Sequence, residues 1–213
     1  MPKSALARMV VFISAAIALG LAIAAAVTLL QGRDRAPIVA TDKGVTGAAL
    51  IGGPFTLIDQ HGATVHDSDF RGRYMLVYFG YTNCPDECPT DLTAMGRAID
   101  SLGATAQQVI PVFITIDPAR DTVQRLADYA PLFHPRLIAL TGSAEQIRQA
   151  TAAYRVYYEK VGDGADYAMS HSAIIYLMDP QGRFVTHFSE GTPADAIAAG
   201  IRRAMAGRGG ESS

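Results

Sequence analysis

The hydrophobic positions of the chain form one unbroken run and then a series of short segments of changing period. Met9 to Leu30 is 22 residues without a charge; as a helix it extends about 33 Å, against a bilayer hydrocarbon core of about 30 Å. It has no polar face, which argues against a buried core helix and leaves a membrane anchor or a secretory signal. Ala24, Ala25 and Ala26 offer small-residue cleavage sites, but the run exceeds the roughly 7 to 15 residues of a signal core, so an uncleaved anchor is the reading taken. Either alternative exports the remainder of the chain. Residues 1–8 are then a cytoplasmic N-terminus, residues 9–30 the transmembrane helix, and residues 31–52, without sustained periodicity, a tether.

From residue 53 the pattern predicts one alternating α/β domain. Phe55 to Ile58 and Ala63 to His66 flank Asp59-Gln60-His61-Gly62 as a hairpin, and Met75 to Phe79 suits a buried central strand. Leu92, Met95, Ile99 and Leu102 share a helical face, with Gly103 placed for a left-handed cap. Val109 to Ile116 reads as a strand, Asp121 to Ala130 as a helix limited by Pro131, and Leu137 to Leu140 as a short strand. Ser143 with Gln146 forms a capping-box pattern for a helix through Tyr154. Ser172 to Met178 and Arg183 to Phe188 form a second hairpin, and Thr192-Pro193 opens a last helix through Ile197 and Ile201. This order predicts a central sheet covered by helices on both faces, ending near residue 206, with residues 207–213 as a mobile tail.

Composition narrows the function classes. Of 213 residues, 49% are hydrophobic and 18% charged, which supports a packed core of single-domain size and excludes a disordered chain. Beyond residue 35, acidic residues outnumber basic ones by 19 to 14, the wrong sign for a nucleic-acid phosphate backbone. Two cysteines make neither a disulfide framework nor a four-thiolate zinc site.

The chemistry concentrates at those two cysteines, in FGYTNCPDECPTDL, Phe79 to Leu92. Cys84 and Cys88 lie between the apolar strand and the next helix. Each precedes a proline, which predicts extended or turn geometry, with Cys88 as the cap and Pro89 as the first helical residue. The helix dipole and its free amides favour thiolate there. Three readings stay open at this point: a structural disulfide, a thiol redox centre, and a metal site. A disulfide closing so small a loop constrains the unfolded chain little. The C-x-x-x-C spacing departs from the C-x-x-C of thiol oxidoreductases. A metal would need a further ligand such as an imidazole, in a set suited to copper or zinc. His61, His66, His134 and His187 fit structural or surface roles, whereas His171 opens the apolar strand SAIIYLMD after the loop GDGADYAMS and stands at a sheet end.

The segments YFGYTNCPDECPTDL, ITIDPARDT, AYRVYY and SHSAIIYLMDPQGRF closely resemble the SCO/SenC family, over most of Gly52 to Ala206. The resemblance implies a thioredoxin-like fold for residues 53–206, with a central mixed sheet flanked by helices. It implies Cys84, Cys88 and His171 as ligands of Cu(I) or Cu(II). It implies a metallochaperone that helps assemble the dinuclear copper A site of cytochrome c oxidase. The expected partners are that oxidase's copper-site subunit and an upstream periplasmic copper donor. The expected location is the inner membrane, single-pass, with a monomeric C-terminal domain in the periplasm. Asp86 matches the family's CPD element and is carried as a candidate for tuning the site from outside the ligand set, while Asp117 and Arg120 match DPxRD and read as an ion pair or loop cap. Ser170 departs from the acidic residue that many members carry before the histidine. The alternative function is an exported thiol-disulfide oxidoreductase using Cys84 and Cys88 to keep a partner's cysteines reduced.

Overall fold

A computed structural model describes residues 51–164 and 166–209. The expected N-terminus, the anchor at 9–30 and the tether up to residue 50 lie outside the described residues, as do residues 210–213. Among the described residues no helix is long and apolar enough to cross a membrane.

Two strands, β3 (Tyr74–Gly80) and β4 (Val109–Thr115), are buried at every position. They run parallel, with Tyr74 opposite Val109 and Gly80 opposite Thr115, so both end at the same edge of the sheet. Their continuous apolar sequences match strands covered on both faces. β5 (Ile138–Thr141) adds in parallel beside β4. The hairpin of β1 (Thr56–Asp59) and β2 (Thr64–His66) closes that side, and the hairpin of β8 (Ile174–Met178) and β9 (Phe184–Ser189) pairs antiparallel with β3 on the other. The result is a mixed seven-stranded sheet in the order β2-β1-β5-β4-β3-β8-β9. Helices α1 (Glu87–Asp100), α2 (Val123–Tyr129), α3 (Ala144–Tyr154) and α4 (Ala194–Gly209) flank it, and α1 packs against α4. Pro111 is tolerated inside β4 because pairing with β5 begins only at Val112.

The strand and helix pattern read from the sequence recurs here, including the reciprocal bonds between Ser143 and Gln146 that open α3. Four details differ. Helix α1 begins at Glu87 with Asp86 at its cap, not at Pro89 capped by Cys88; a first-turn residue has no intrahelical acceptor, so Pro89 in the third position sacrifices no bond. Gly103 is left-handed as expected, with φ +59°, but it follows the helix end at Asp100 instead of capping it directly. Helix α4 continues through Gly209, past the expected start of the tail at residue 207, since one glycine costs a helix only about 1 kcal/mol against alanine. Finally, a separate two-stranded sheet precedes the apolar strand: β7 (Ala168–His171) takes up the end of the segment read as a loop, and β6 (Tyr158–Val161) lies just before that segment, where the pattern predicts no element. His171 therefore closes β7 and does not open the following apolar strand, which starts at Ile174.

Gly80, the last residue of β3, has no room for a side chain. A Cβ there would stand 2.8 Å from the Cys88 sulfur, 2.9 Å from the Tyr78 ring and 3.1 Å from that of Phe113. Gly80→Ala is expected to destabilise the fold by about 1–3 kcal/mol, the usual cost of overpacking a core. Urea unfolding checks it, and an unchanged midpoint would mean that α1 is free to move off β3.

Candidate metal centre

The edge where β3 and β4 end is where a parallel α/β arrangement leaves a crevice for chemistry. Tyr81 to Asp86 leave β3 at this edge, and α1 turns back beneath them. The first turn of α1 needs acceptors for its amides. The Cys84 sulfur supplies one, accepting the main-chain N–H of Cys88 at 3.4 Å. Cys84 is 6% exposed and Cys88 fully buried, and both are free thiols. The β6–β7 hairpin brings His171 over them, its Nε2 3.6 Å from the Cys88 sulfur. The two sulfurs and one ring nitrogen lie within 4.8 Å of one another, and no other metal-capable group of three is present among the described residues.

Aromatic rings hold the imidazole in place. Tyr78 and Tyr81 meet it edge-on, with ring centroids 6.2 and 6.0 Å from that of His171. Its Nδ1 is buried without a hydrogen-bond partner among the described residues, so packing and not an outer acceptor orients the ring. The other histidines stay away. His66 Nδ1 pairs with the Thr56 hydroxyl, and His134 accepts the Arg136 amide and faces Asp100.

The loop between β4 and α2 supports the site from behind. Asp121 is fully buried and accepts three bonds, from the Thr82 amide at 3.0 Å, the Thr82 hydroxyl at 2.6 Å and the Thr115 hydroxyl at 2.6 Å. Arg125 adds its Nε to Thr82 and its Nη2 to the Asn83 amide oxygen. The cysteine loop is thus tied to the neighbouring strand. Asp121 and the tyrosine pair lie inside the segments that carry the family resemblance, but nothing in the sequence assigns them these supporting contacts. The signal available is placement: DPARDT comes directly after β4, whose end lies beside that of β3.

The acids between the cysteines act differently from one another. The exposed Asp86 makes no side-chain cap bond; its main-chain amide faces the Cys84 sulfur. Glu87 is the acid whose carboxyl meets Cys84, at 3.4 Å. Its own main-chain hydrogen bond pulls the Glu87 pKa down, but the Cys84 sulfur outweighs this and leaves it raised. Behind the cysteines, burial raises Asp91, whose Oδ1 accepts the Gly191 amide at 3.0 Å.

The thiols are unequal. The hydrogen bond from Cys88 holds Cys84 far below the ordinary thiol range, helped by His171 and the amides of Cys88 and Asp86 and opposed by burial. Cys88 moves the other way, pushed up by its bond to Cys84 and by burial. Cys84 therefore keeps its negative charge as pH falls well below the ordinary thiol pKa, and Cys88 keeps its proton above it. Titration of thiolate absorbance in the reduced chain is expected to show one step far on the acid side of about pH 8.5. Cys84→Ser should remove that step. Two thiols titrating together near the ordinary value would contradict the assignment.

Comparison with known proteins agrees with this geometry. The SCO1/SenC family profile matches residues 43–206. The mitochondrial SCO1 homolog 1 of Arabidopsis thaliana is 43% identical over 157 residues, covering 73% of this chain and 47% of the relative. The chain spans about half to three-fifths of the length of such curated relatives. Among solved structures, Arabidopsis thaliana ScoI with copper bound is 42% identical with a TM-score of 0.69, over 72% of this chain and 96% of that one. Bradyrhizobium japonicum ScoI with copper bound is 42% identical with a TM-score of 0.67, over 72% and 98%. The thioredoxin-like fold and the cysteine-cysteine-histidine cluster are those expected, and the chain belongs to the SCO1/SenC family.

Proposed function

We propose that this chain is a membrane-anchored copper metallochaperone that binds Cu(I) or Cu(II) through Cys84, Cys88 and His171 and helps assemble the dinuclear copper A site of cytochrome c oxidase. One observation carries the reading: the convergence of two sulfurs and an imidazole within 4.8 Å. Soft thiolates suit Cu(I), and adding imidazole nitrogen suits Cu(II), so the donor set serves either oxidation state of the cargo. Family membership and the copper-bound relatives at 42% identity support it. Three donors leave a copper ion open to incoming ligands, as delivery by ligand exchange requires, whereas a closed four-ligand site retains its metal. The apolar run at 9–30 supports an anchor in the inner membrane, with the copper domain on the periplasmic side facing the oxidase subunit and a copper donor.

A second reading rests on the inequality of the thiols. A depressed Cys84 is the kind of nucleophile that attacks a disulfide, and Cys88 stands next to it to resolve the mixed disulfide. In that role the chain keeps a copper-accepting partner reduced. Thiol exchange needs only the cysteines, while copper binding also needs His171.

His171→Ala separates them. Losing groups that merely orient a metal-bound imidazole costs about 10- to 100-fold in affinity, so removing the ligand should lower Cu(II) affinity by on the order of 100-fold, with less effect on Cu(I). Disulfide reduction should persist. Copper titration and a disulfide-reduction assay on the same variant measure both. Parental binding of both copper states together with lost reduction would assign His171 to proton transfer in a thiol redox enzyme.

A further inference from the structure

The hairpin that carries His171 is a sheet of its own, so something other than β-ladder bonds must hold it against the cysteine loop. Arg120 is placed to do this. Its Nε meets Asp117 Oδ2 at 2.5 Å, and its Nη1 donates to the main-chain oxygen of Tyr167 at 2.8 Å, one residue before β7. The guanidinium lies 3.6 Å from the centroid of the Tyr167 ring and 5.9 Å from that of Tyr81. The Tyr167 hydroxyl closes the circuit, donating to Asp117 Oδ1 at 2.6 Å. On the outer side, Lys160 of β6 stands 4.2 Å from the same ring. Tyr81 in turn meets His171 edge-on.

We infer that Arg120, with Asp117 and Tyr167, is a clasp that positions His171 over the two sulfurs, so that it governs the nitrogen contribution to copper binding without touching the metal. The chemistry favours arginine. A planar fork can bond two carbonyl-type oxygens while its face stacks on an aromatic ring, and a lysine ammonium cannot do both. The same loop and the first turn of α2 also hold the cysteine side, through Asp121 and Arg125 to Thr82 and Asn83. One short segment, Asp117 to Arg125, therefore sets the distance between the two halves of the site.

This inference rests on the copper reading for its function and on the metal-free protein for its geometry, so the test has one arm for each. In the full-length reduced chain without copper, the His171 ring protons should carry NMR shifts imposed by the rings of Tyr78 and Tyr81. Arg120→Ala should move them toward free-histidine positions, while the signals of Cys84 and Cys88 change little. With Cu(II) added, Arg120→Ala should bind about 10- to 100-fold more weakly and lose nitrogen hyperfine coupling in EPR, as expected when an orienting group is removed. In a His171→Ala background the same change should cost nothing further. Tyr167→Phe, which removes one hydroxyl and keeps the ring, should shift the His171 signals in the same direction to a smaller extent, and it decides the matter if Arg120→Ala fails to fold. Unmoved His171 signals in both variants, a full additional loss in the His171→Ala background, or complete recovery by Arg120→Lys would overturn the clasp. If the parent chain binds no Cu(II), the functional proposal falls, and the metal-free arm still decides whether Arg120 positions His171.

Discussion

The closeness of α1 to the end of β3 governs the rest of this site. The Cys88 sulfur packs so close to Gly80 that one more carbon there would stand 2.8 Å from it, with the Tyr78 and Phe113 rings closing the same space. That contact seals Cys88 from solvent and fixes the start of the helix. With the helix start fixed, the amides of its first turn point at Cys84, which becomes the anionic partner of the pair. The asymmetry between two chemically identical side chains is thus a consequence of packing. The hydrogen bond between the two sulfurs separates their proton affinities in opposite directions, with deeper burial adding to the rise at Cys88 and main-chain amides adding to the fall at Cys84.

Around this fixed point the chain gathers pieces from distant stretches. The cysteines come after β3, the bracing acids after β4, and the histidine arrives 83 residues beyond Cys88. The parallel register of β3 and β4 makes the gathering possible, since it ends both strands at one edge. A buried carboxylate such as Asp121 is expensive unless fully bonded, and its three donors meet that condition. The side effect is rigidity in the loop that presents the thiols.

Most of the fold is legible in the sequence because its strands are strongly patterned. YMLVYFG and VIPVFIT announce buried strands, and Ser143 with Gln146 announces a helix start, by local chemistry alone. The β6–β7 hairpin is not legible. Its strands, YEKV and AMSH, are short, largely exposed and mix charged, small and aromatic residues, so no period distinguishes them from a loop. The cysteines and His171 are identifiable as residues, through spacing and through the family motif. Their supports are not: Tyr81 approaches His171 across ninety positions, and Tyr167 approaches Asp117 across fifty. Such contacts depend on tertiary closure, to which periodicity is blind. Cys88 fails as a cap for a related reason, because the rule for residues before proline ignores an external acceptor such as the Cys84 sulfur.

The separateness of β6 and β7 has a thermodynamic meaning. Stability in a folded chain is divided among cooperative units, and small exposed units open at far lower free energy than the core. Here the boundary between two such units passes through the donor cluster. Both sulfurs belong to the part anchored by β3 and α1, while the imidazole belongs to a two-stranded flap that shares no ladder with the main sheet. A subglobal opening of that flap takes away one donor and leaves the other two in register. In the proposed copper carrier the cost of that opening is set by the flap's own contacts, the Arg120 bonds to Asp117 and Tyr167 among them, more than by the packing of the core.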